Sequence, residues 1–202
     1  MMDSHLVEFS QLTPEDLKRL AVLHHSVMHT LLSDLGLPIV WRYYQIAEQD
    51  SQTIGFCAIS GSGEILGWAT GSPHPDRINA KLRSPLTWFV LQMLRITLTR
   101  PAVLWQLFSS VFSTSNSAVI KNDAIELTYI GVSSEQRGVG LGRKLLNAFI
   151  EASRSNGYRS VVLSVEKENL PAITLYERAG FRIIKTFSEG RYQRHRMELT
   201  LA

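Results

Sequence analysis

The chain has one cysteine, Cys57, in 202 residues. A single thiol cannot close an internal disulfide or supply a zinc site built from several cysteines. It lies in the apolar run Ile54 to Ile59, where a packed, buried thiol is expected rather than a nucleophile. Long uncharged apolar runs are lacking too, and none reaches the roughly 18 residues of a membrane span. The start, Met1-Met2-Asp3-Ser4-His5, has neither the basic head nor the apolar centre of a secretory signal, so a cytoplasmic, reducing location is expected. Charge is sparse at 19%, and 21 basic against 18 acidic side chains leave a net +3. So mild an excess argues against a nucleic-acid partner, though it suits a small polyanionic ligand. No repeat or low-complexity tract is visible, and 45% hydrophobic residues fit one domain with a sizeable core.

What is present reads as alternating strands and helices. Leu6 to Phe9 is strand-like, and Thr13-Pro14-Glu15-Asp16 is a helix start, with an N-cap, proline at the first position and acids in the first turn. Apolar positions continue at helical spacing to Leu32, Gly36 and Pro38 end that helix, and a second runs from about Ile39 to Glu48. Thr53 to Ile59 and Glu64 to Thr70 flank the turn Ser60-Gly61-Ser62-Gly63 as a hairpin. An apolar segment at about residues 76–116 reads as two helices broken at Pro101, each apolar on more than one face, and closes in a polar linker, Ser113 to Ser117. Then come a strand, Ala124 to Val132, and a helix with Leu141, Leu145, Ala148, Phe149 and Ala152 on one face, stopped at Asn156-Gly157. The run Val161 to Val165 suits a strand covered on both faces. A helix from Leu170 to Ala179 and a final hairpin, Phe181 to Phe187 with Tyr192 to Leu201, complete a mixed α/β sheet with helices on both faces.

The densest signal is Arg137-Gly138-Val139-Gly140-Leu141-Gly142, between a strand and a helix that opens near Arg143. Such a turn offers backbone N–H groups unobstructed by side chains, backed by the positive end of the helix dipole, which is a seat for phosphate. A dinucleotide fold places its glycine turn near the start of a βαβ unit with different spacing, and a Walker loop needs Gly-Lys-Ser/Thr where this chain has Gly142-Arg143-Lys144. Both nucleotide readings fail.

Downstream stands Asn169-x-x-Ala172-x-x-Leu175-Tyr176-Glu177-x-x-Gly180-Phe181. Together with Arg137-x-x-Gly140-x-Gly142 it resembles the GNAT superfamily of acyl-CoA-dependent N-acyltransferases, specifically over Glu126 to Leu199. The resemblance implies a single domain over residues 1–202. Its sheet would be twisted and mostly antiparallel, of about seven strands, with a helical insertion before the central strand. It implies acetyl-CoA as donor, a primary amine as acceptor, direct attack without a covalent enzyme intermediate, and no metal. Gly138, Val139, Gly140, Leu141 and Gly142 would hold the pyrophosphate of coenzyme A through backbone amides, with Arg137 and Arg143 adding charge. The pantetheine arm would pair with Ile130, Gly131 and Val132 where their strand splays from the next, near Asn169 and Ala172. The N–H of Val132 would polarise the thioester carbonyl, and Tyr176 would protonate the departing thiolate.

An amine must lose a proton before or during attack, and Glu126 is the candidate base, with a water relay as competitor. Strand alternation over six positions predicts Glu126 and Val132 on one sheet face, and apolar neighbours around the carboxyl would strengthen it as a base. His25 and His29 have the i,i+4 spacing of a metal pair but lack a third ligand, so they and His24 read as surface or substrate-side groups. His74, Tyr192 and His195 are weaker acceptor-side candidates. The acceptor stays open between a small amine, such as an amino sugar or polyamine, and a protein N-terminus or lysine. The donor's acyl length is open too. The apolar stretch from Trp88 to Phe112 suits a lid, a homodimer contact or, flanked by Lys81, Arg83, Arg95 and Arg100, a membrane surface. The opposing reading is a non-catalytic acyl-CoA-binding scaffold.

Overall fold

The computed structural model describes residues 4–28, 30–99, 123–189 and 192–201. Seven strands, β1 Ser4–Glu8, β2 Ile54–Ser60, β3 Ile65–Ser72, β4 Ala124–Val132, β5 Ser160–Glu166, β6 Arg182–Glu189 and β7 Tyr192–Thr200, form one sheet in the order β1-β2-β3-β4-β5-β7-β6. Every pairing is antiparallel except β4 with β5. That parallel pair needs a crossover, which α6 Leu141–Ser155 supplies. The remaining helices are α1 Pro14–Val27, α2 Leu31–Asp34, α3 Leu37–Gln49, α4 Pro75–Leu82, α5 Leu86–Thr99 and α7 Leu170–Arg178.

Local sequence explains most of these boundaries. Thr13 caps α1 in a reciprocal box with Asp16, each side chain accepting from the other's backbone N–H at 3.2 and 3.0 Å. Gly157 and Gly180 take positive φ just beyond α6 and α7, where a side chain would be strained. Three expectations shift. Phe9 leaves the first strand for a 3-10 turn. The first helix stops at Val27, because Met28 turns extended while its N–H closes the last turn on His24 O. The insertion breaks at Ser84-Pro85, where proline lacks an N–H and bars helical geometry before it. The proposed break at Pro101 and the linker at Ser113 to Ser117 lie outside the described residues. Of the insertion's helices, α4 buries only Ile78 and Leu82, whereas α5 exposes Leu86, Val90, Leu91 and Leu94.

The two sheet faces carry different cores. One packs α6 and α7 through Leu141, Leu145, Phe149, Ile150, Ile173 and Tyr176 against Ile125, Leu127, Val161 and Leu163. The other packs α1, α3 and α4 through Leu20, Ile39, Tyr43, Tyr44 and Ile78 against Cys57 and Trp68, with Tyr129 partly buried beside them. β5 is buried along nearly its whole length, as a strand covered on both faces must be. No helix of the described residues is long and apolar enough to cross a membrane.

Candidate active site

The central strand is irregular where it matters. Leu127 of β4 lies opposite Gly71 and Tyr129 lies opposite Thr70, so Thr128 is the extra residue of a bulge. Gly71 is required there: a Cβ on it would fall 2.1 Å from Glu126 O. The bulge shifts the side-chain phase by one residue. Ile125, Leu127, Ile130 and Val132 consequently share the α6 face, while Tyr129 joins the α1/α3 face. Glu126 alternates with Ile125 and Leu127 and so also points to the α1/α3 face, opposite Val132. The expectation that Glu126 and Val132 share a face is corrected by this one extra residue.

The parallel β4–β5 ladder runs from Ala124 opposite Ser160 to Leu127 opposite Leu163 and stops. Residues 128–132 of β4 and 164–166 of β5 do not pair with one another, so the ladder is open beyond Leu127/Leu163. Ser133 N–H donates to Leu66 O at 2.8 Å, toward β3. Alternation therefore turns the N–H groups of Val132 and Ile130 into the opening. An open groove of about 590 Å³ lies on the β3 side of the same strand end, lined by Arg19, Ser62, Ser133 and Glu135 among others.

The glycine turn follows the open end of β4. Gly138 and Gly140 have φ of +79° and +88°, a region that disfavours side chains, and no atom within 4 Å of a built Cβ. Gly140 is the N-cap of α6 and provides no side-chain cap, so the first-turn amides are left for another acceptor. Gly142 lies against Val132 Cγ1 and Leu175 Cδ2, at 4.0 and 3.7 Å from its built Cβ, which joins the turn to β4 and α7. Arg137, Val139 and Arg143 are exposed beside it, whereas Leu141 packs into the core and can offer only its backbone. Uncapped amides, open space above two glycines and two exposed arginines fit a pyrophosphate.

On α7, Asn169 Oδ1 caps the helix by accepting from Ala172 N–H at 3.3 Å. Tyr176 is buried against Phe181, ring centroids 5.8 Å apart, and burial pushes its phenol well above the usual range. It stays protonated.

Glu126 is not set among apolar neighbours, as expected, but faces a guanidinium. Arg196 Nη1 and Nη2 donate to its two carboxylate oxygens at 2.5 and 3.2 Å, and Nη1 also donates to Ser164 Oγ at 3.0 Å. Arg196 is only 8% exposed. Beside this pair Tyr43 is buried, and its phenol is raised well above 10.0 by burial and by Tyr129, with a hydrogen bond to Thr128 opposing. Arg196 and Tyr43 were not anticipated. The period-two pattern of residues 194–201 does place Arg194, Arg196 and Glu198 on one strand face, but their partners are far away in sequence.

The histidines divide. His24 is fully buried rather than substrate-side, its Nδ1 2.6 Å from Tyr44 Oη, and burial lowers its pKa to about 3. His25 is half-buried, and His29 lies outside the described residues. His74 precedes α4, Tyr192 begins β7, and His195 Nδ1 sits 2.8 Å from the Thr186 hydroxyl. Among the described residues no three His, Cys, Asp or Glu side chains gather as a metal site.

Residues 23–181 match the model of the acetyltransferase (GNAT) family. The chain belongs to this family. Mycothiol acetyltransferase of Corynebacterium glutamicum is 39% identical over 61 residues, 30% of this chain and 21% of that enzyme. The chain thus spans about a fifth of the length of the curated relatives it matches first. Among solved structures, the ribosomal-protein-S18-alanine N-acetyltransferase of Escherichia coli superposes with a TM-score of 0.62 at 16% identity, covering 99% of this chain and 95% of that one. The spermidine/spermine N-acetyltransferase SpeG of Vibrio cholerae gives 0.58 at 17%, covering 98% and 93%. At such identities the likeness is one of fold. Family membership implies acetyl-CoA as the acetyl donor.

Proposed function

We propose that this chain is an N-acetyltransferase that acetylates a primary amine by direct attack, with a small molecule as the favoured acceptor. The reading is supported by three features together: the β4–β5 ladder open beyond Leu127, the uncapped glycine turn after β4, and Glu126 and Tyr176 on the elements that flank that opening. Acetyl-CoA supplies an activated acyl group and a thiolate leaving group. Backbone amides of residues 138–142 hold the pyrophosphate, Arg137 and Arg143 add charge, and Asn169 Nδ2 stays available to the pantetheine amides. Val132 N–H donates to the thioester carbonyl oxygen. Glu126, or a water it orders, accepts the proton of the attacking amine from the α1/α3 side, and the Tyr176 phenol gives one to the sulfur.

The curated relative named for mycothiol acts, by that name, on a small molecule, which supports the preferred acceptor class. The test is thiol release from acetyl-CoA with glucosamine, spermidine, an alanine-initiated peptide and a lysine peptide. Turnover with either small amine supports the reading, and turnover with a peptide alone replaces its acceptor. Coenzyme A binding without turnover across the panel leaves a scaffold instead.

A further inference from the structure

We infer that Arg196 is a positioning residue that holds Glu126 where the β4–β5 ladder ends. This rests on the role proposed above for Glu126. Glu126 lies one residue before the last β4–β5 pair, Leu127 with Leu163, and Ser164 lies one residue beyond it on the other strand. Arg196 is the register partner of Ser164 on β7. One guanidinium therefore bridges the two strands where their pairing ends, from Glu126, still inside the ladder, to Ser164, the first residue beyond it, on the α1/α3 side of the sheet. The bidentate fork fixes the plane of the carboxylate as well as its position, which a lone ammonium cannot do. At 9% and 19% side-chain exposure the pair is largely withdrawn from water, so removing the arginine leaves the carboxylate poorly solvated and free to turn. Burying a charge pair only to join two strands is a costly device, since apolar side chains would do so at least as well. A reactive carboxylate kept in one orientation gives the pair a purpose.

The experiment measures thiol release from acetyl-CoA, with the fastest amine of the panel above, for wild type, E126Q, R196M and the double variant E126Q/R196M. A misplaced catalytic group costs up to about 100-fold. R196M should therefore lose about 10- to 100-fold in kcat with an unchanged KM for acetyl-CoA, and R196K should recover part of the loss. The double variant should be no slower than E126Q, because Arg196, in the inferred role, affects the chemistry only through that carboxylate, its bond to Ser164 being structural. Should R196M fail to fold, R196K carries the same test, and E126Q/R196K should then match E126Q. An unchanged kcat in either arginine variant, or losses that multiply with that of E126Q, overturns the inference while leaving Glu126 its role. An unchanged kcat in E126Q removes the parent reading and this one together, as does an absence of turnover with every amine.

Discussion

The two faces of the sheet are built from different chemistry. The α6/α7 face is mostly aliphatic, and its candidate functional feature is a local motif: one turn of glycines opening one helix. The α1/α3 face is aromatic and polar. His24 meets Tyr44, Trp68 and Tyr129 with ring centroids 4.8 to 5.6 Å apart, and Tyr43 and the Glu126–Arg196 pair stand nearby. Under the proposed function, the α6/α7 face is the donor side, which needs a surface that only seats a ligand, and contiguous backbone suffices. The α1/α3 face is then the acceptor side, which needs oriented polar groups out of water that several distant elements must supply together. The two faces should therefore fail differently when perturbed.

The largest contrast is expected in pH-dependent stability, through His24. Its pKa falls from 6.5 to about 3 because burial disfavours the imidazolium. The unfolded chain takes up this proton below about pH 6.5 and the native protein does not. The stabilisation is thus complete above pH 6.5 and is lost as pH falls toward 3, by on the order of 4 kcal/mol. Chemical denaturation at stepped pH should show this loss in the wild type. In His24→Gln, which keeps a polar partner for Tyr44, the loss over that window should shrink by most of that amount. Equal slopes in the two proteins would mean that His24 is not held neutral.

Tyr176 tests whether the aliphatic face also takes part in chemistry. Tyr176→Phe keeps the packing against Phe181 and removes only the hydroxyl. kcat should fall about 100-fold, the range of a lost proton donor, with coenzyme A affinity nearly unchanged. A fall in affinity with kcat preserved would make the hydroxyl a binding group.

These differences decide what the sequence discloses. Gly138, Gly140, Asn169 and Tyr176 stood out as candidates because each belongs to a contiguous motif, and the strand and helix periods placed that motif between β4, α6 and α7. Glu126 stood out as a candidate base, but its face was misjudged. Alternation counts assume an unbroken strand, and the bulge at Thr128 is specified by Gly71 and Leu127, 56 positions apart in the chain. Arg196 was missed for a similar reason, since its partner lies 70 positions away. His24 looked like a surface histidine because a helical pattern marks an apolar stripe but does not reveal that Tyr44 will arrive to satisfy a polar group inside it.

On the donor side, Gly140→Ala should cost about 1–2 kcal/mol of stability from the positive φ. Coenzyme A binding should weaken about 10-fold, because the first-turn amides no longer point at the pyrophosphate. Calorimetric titration with coenzyme A, beside a denaturation curve, separates the two effects. Unchanged affinity would place the pyrophosphate elsewhere.

The smallest expected effect is at Arg143, and it sharpens the donor side most finely. Its side chain is exposed at the start of α6 and makes no backbone contribution that glutamine would lack. A solvent-facing cation near a bound phosphate contributes roughly 0.5 kcal/mol, because water and salt screen it. Arg143→Gln should therefore weaken coenzyme A binding only about two- to three-fold in low salt, and the difference from wild type should vanish near 0.5 M salt. Gly140→Ala should keep its deficit at every salt concentration, since its loss is one of backbone geometry. If the Arg143→Gln deficit also persisted in high salt, the guanidinium would be making a direct, desolvated contact with the phosphate. The donor seat would then depend on a side chain as much as on the turn.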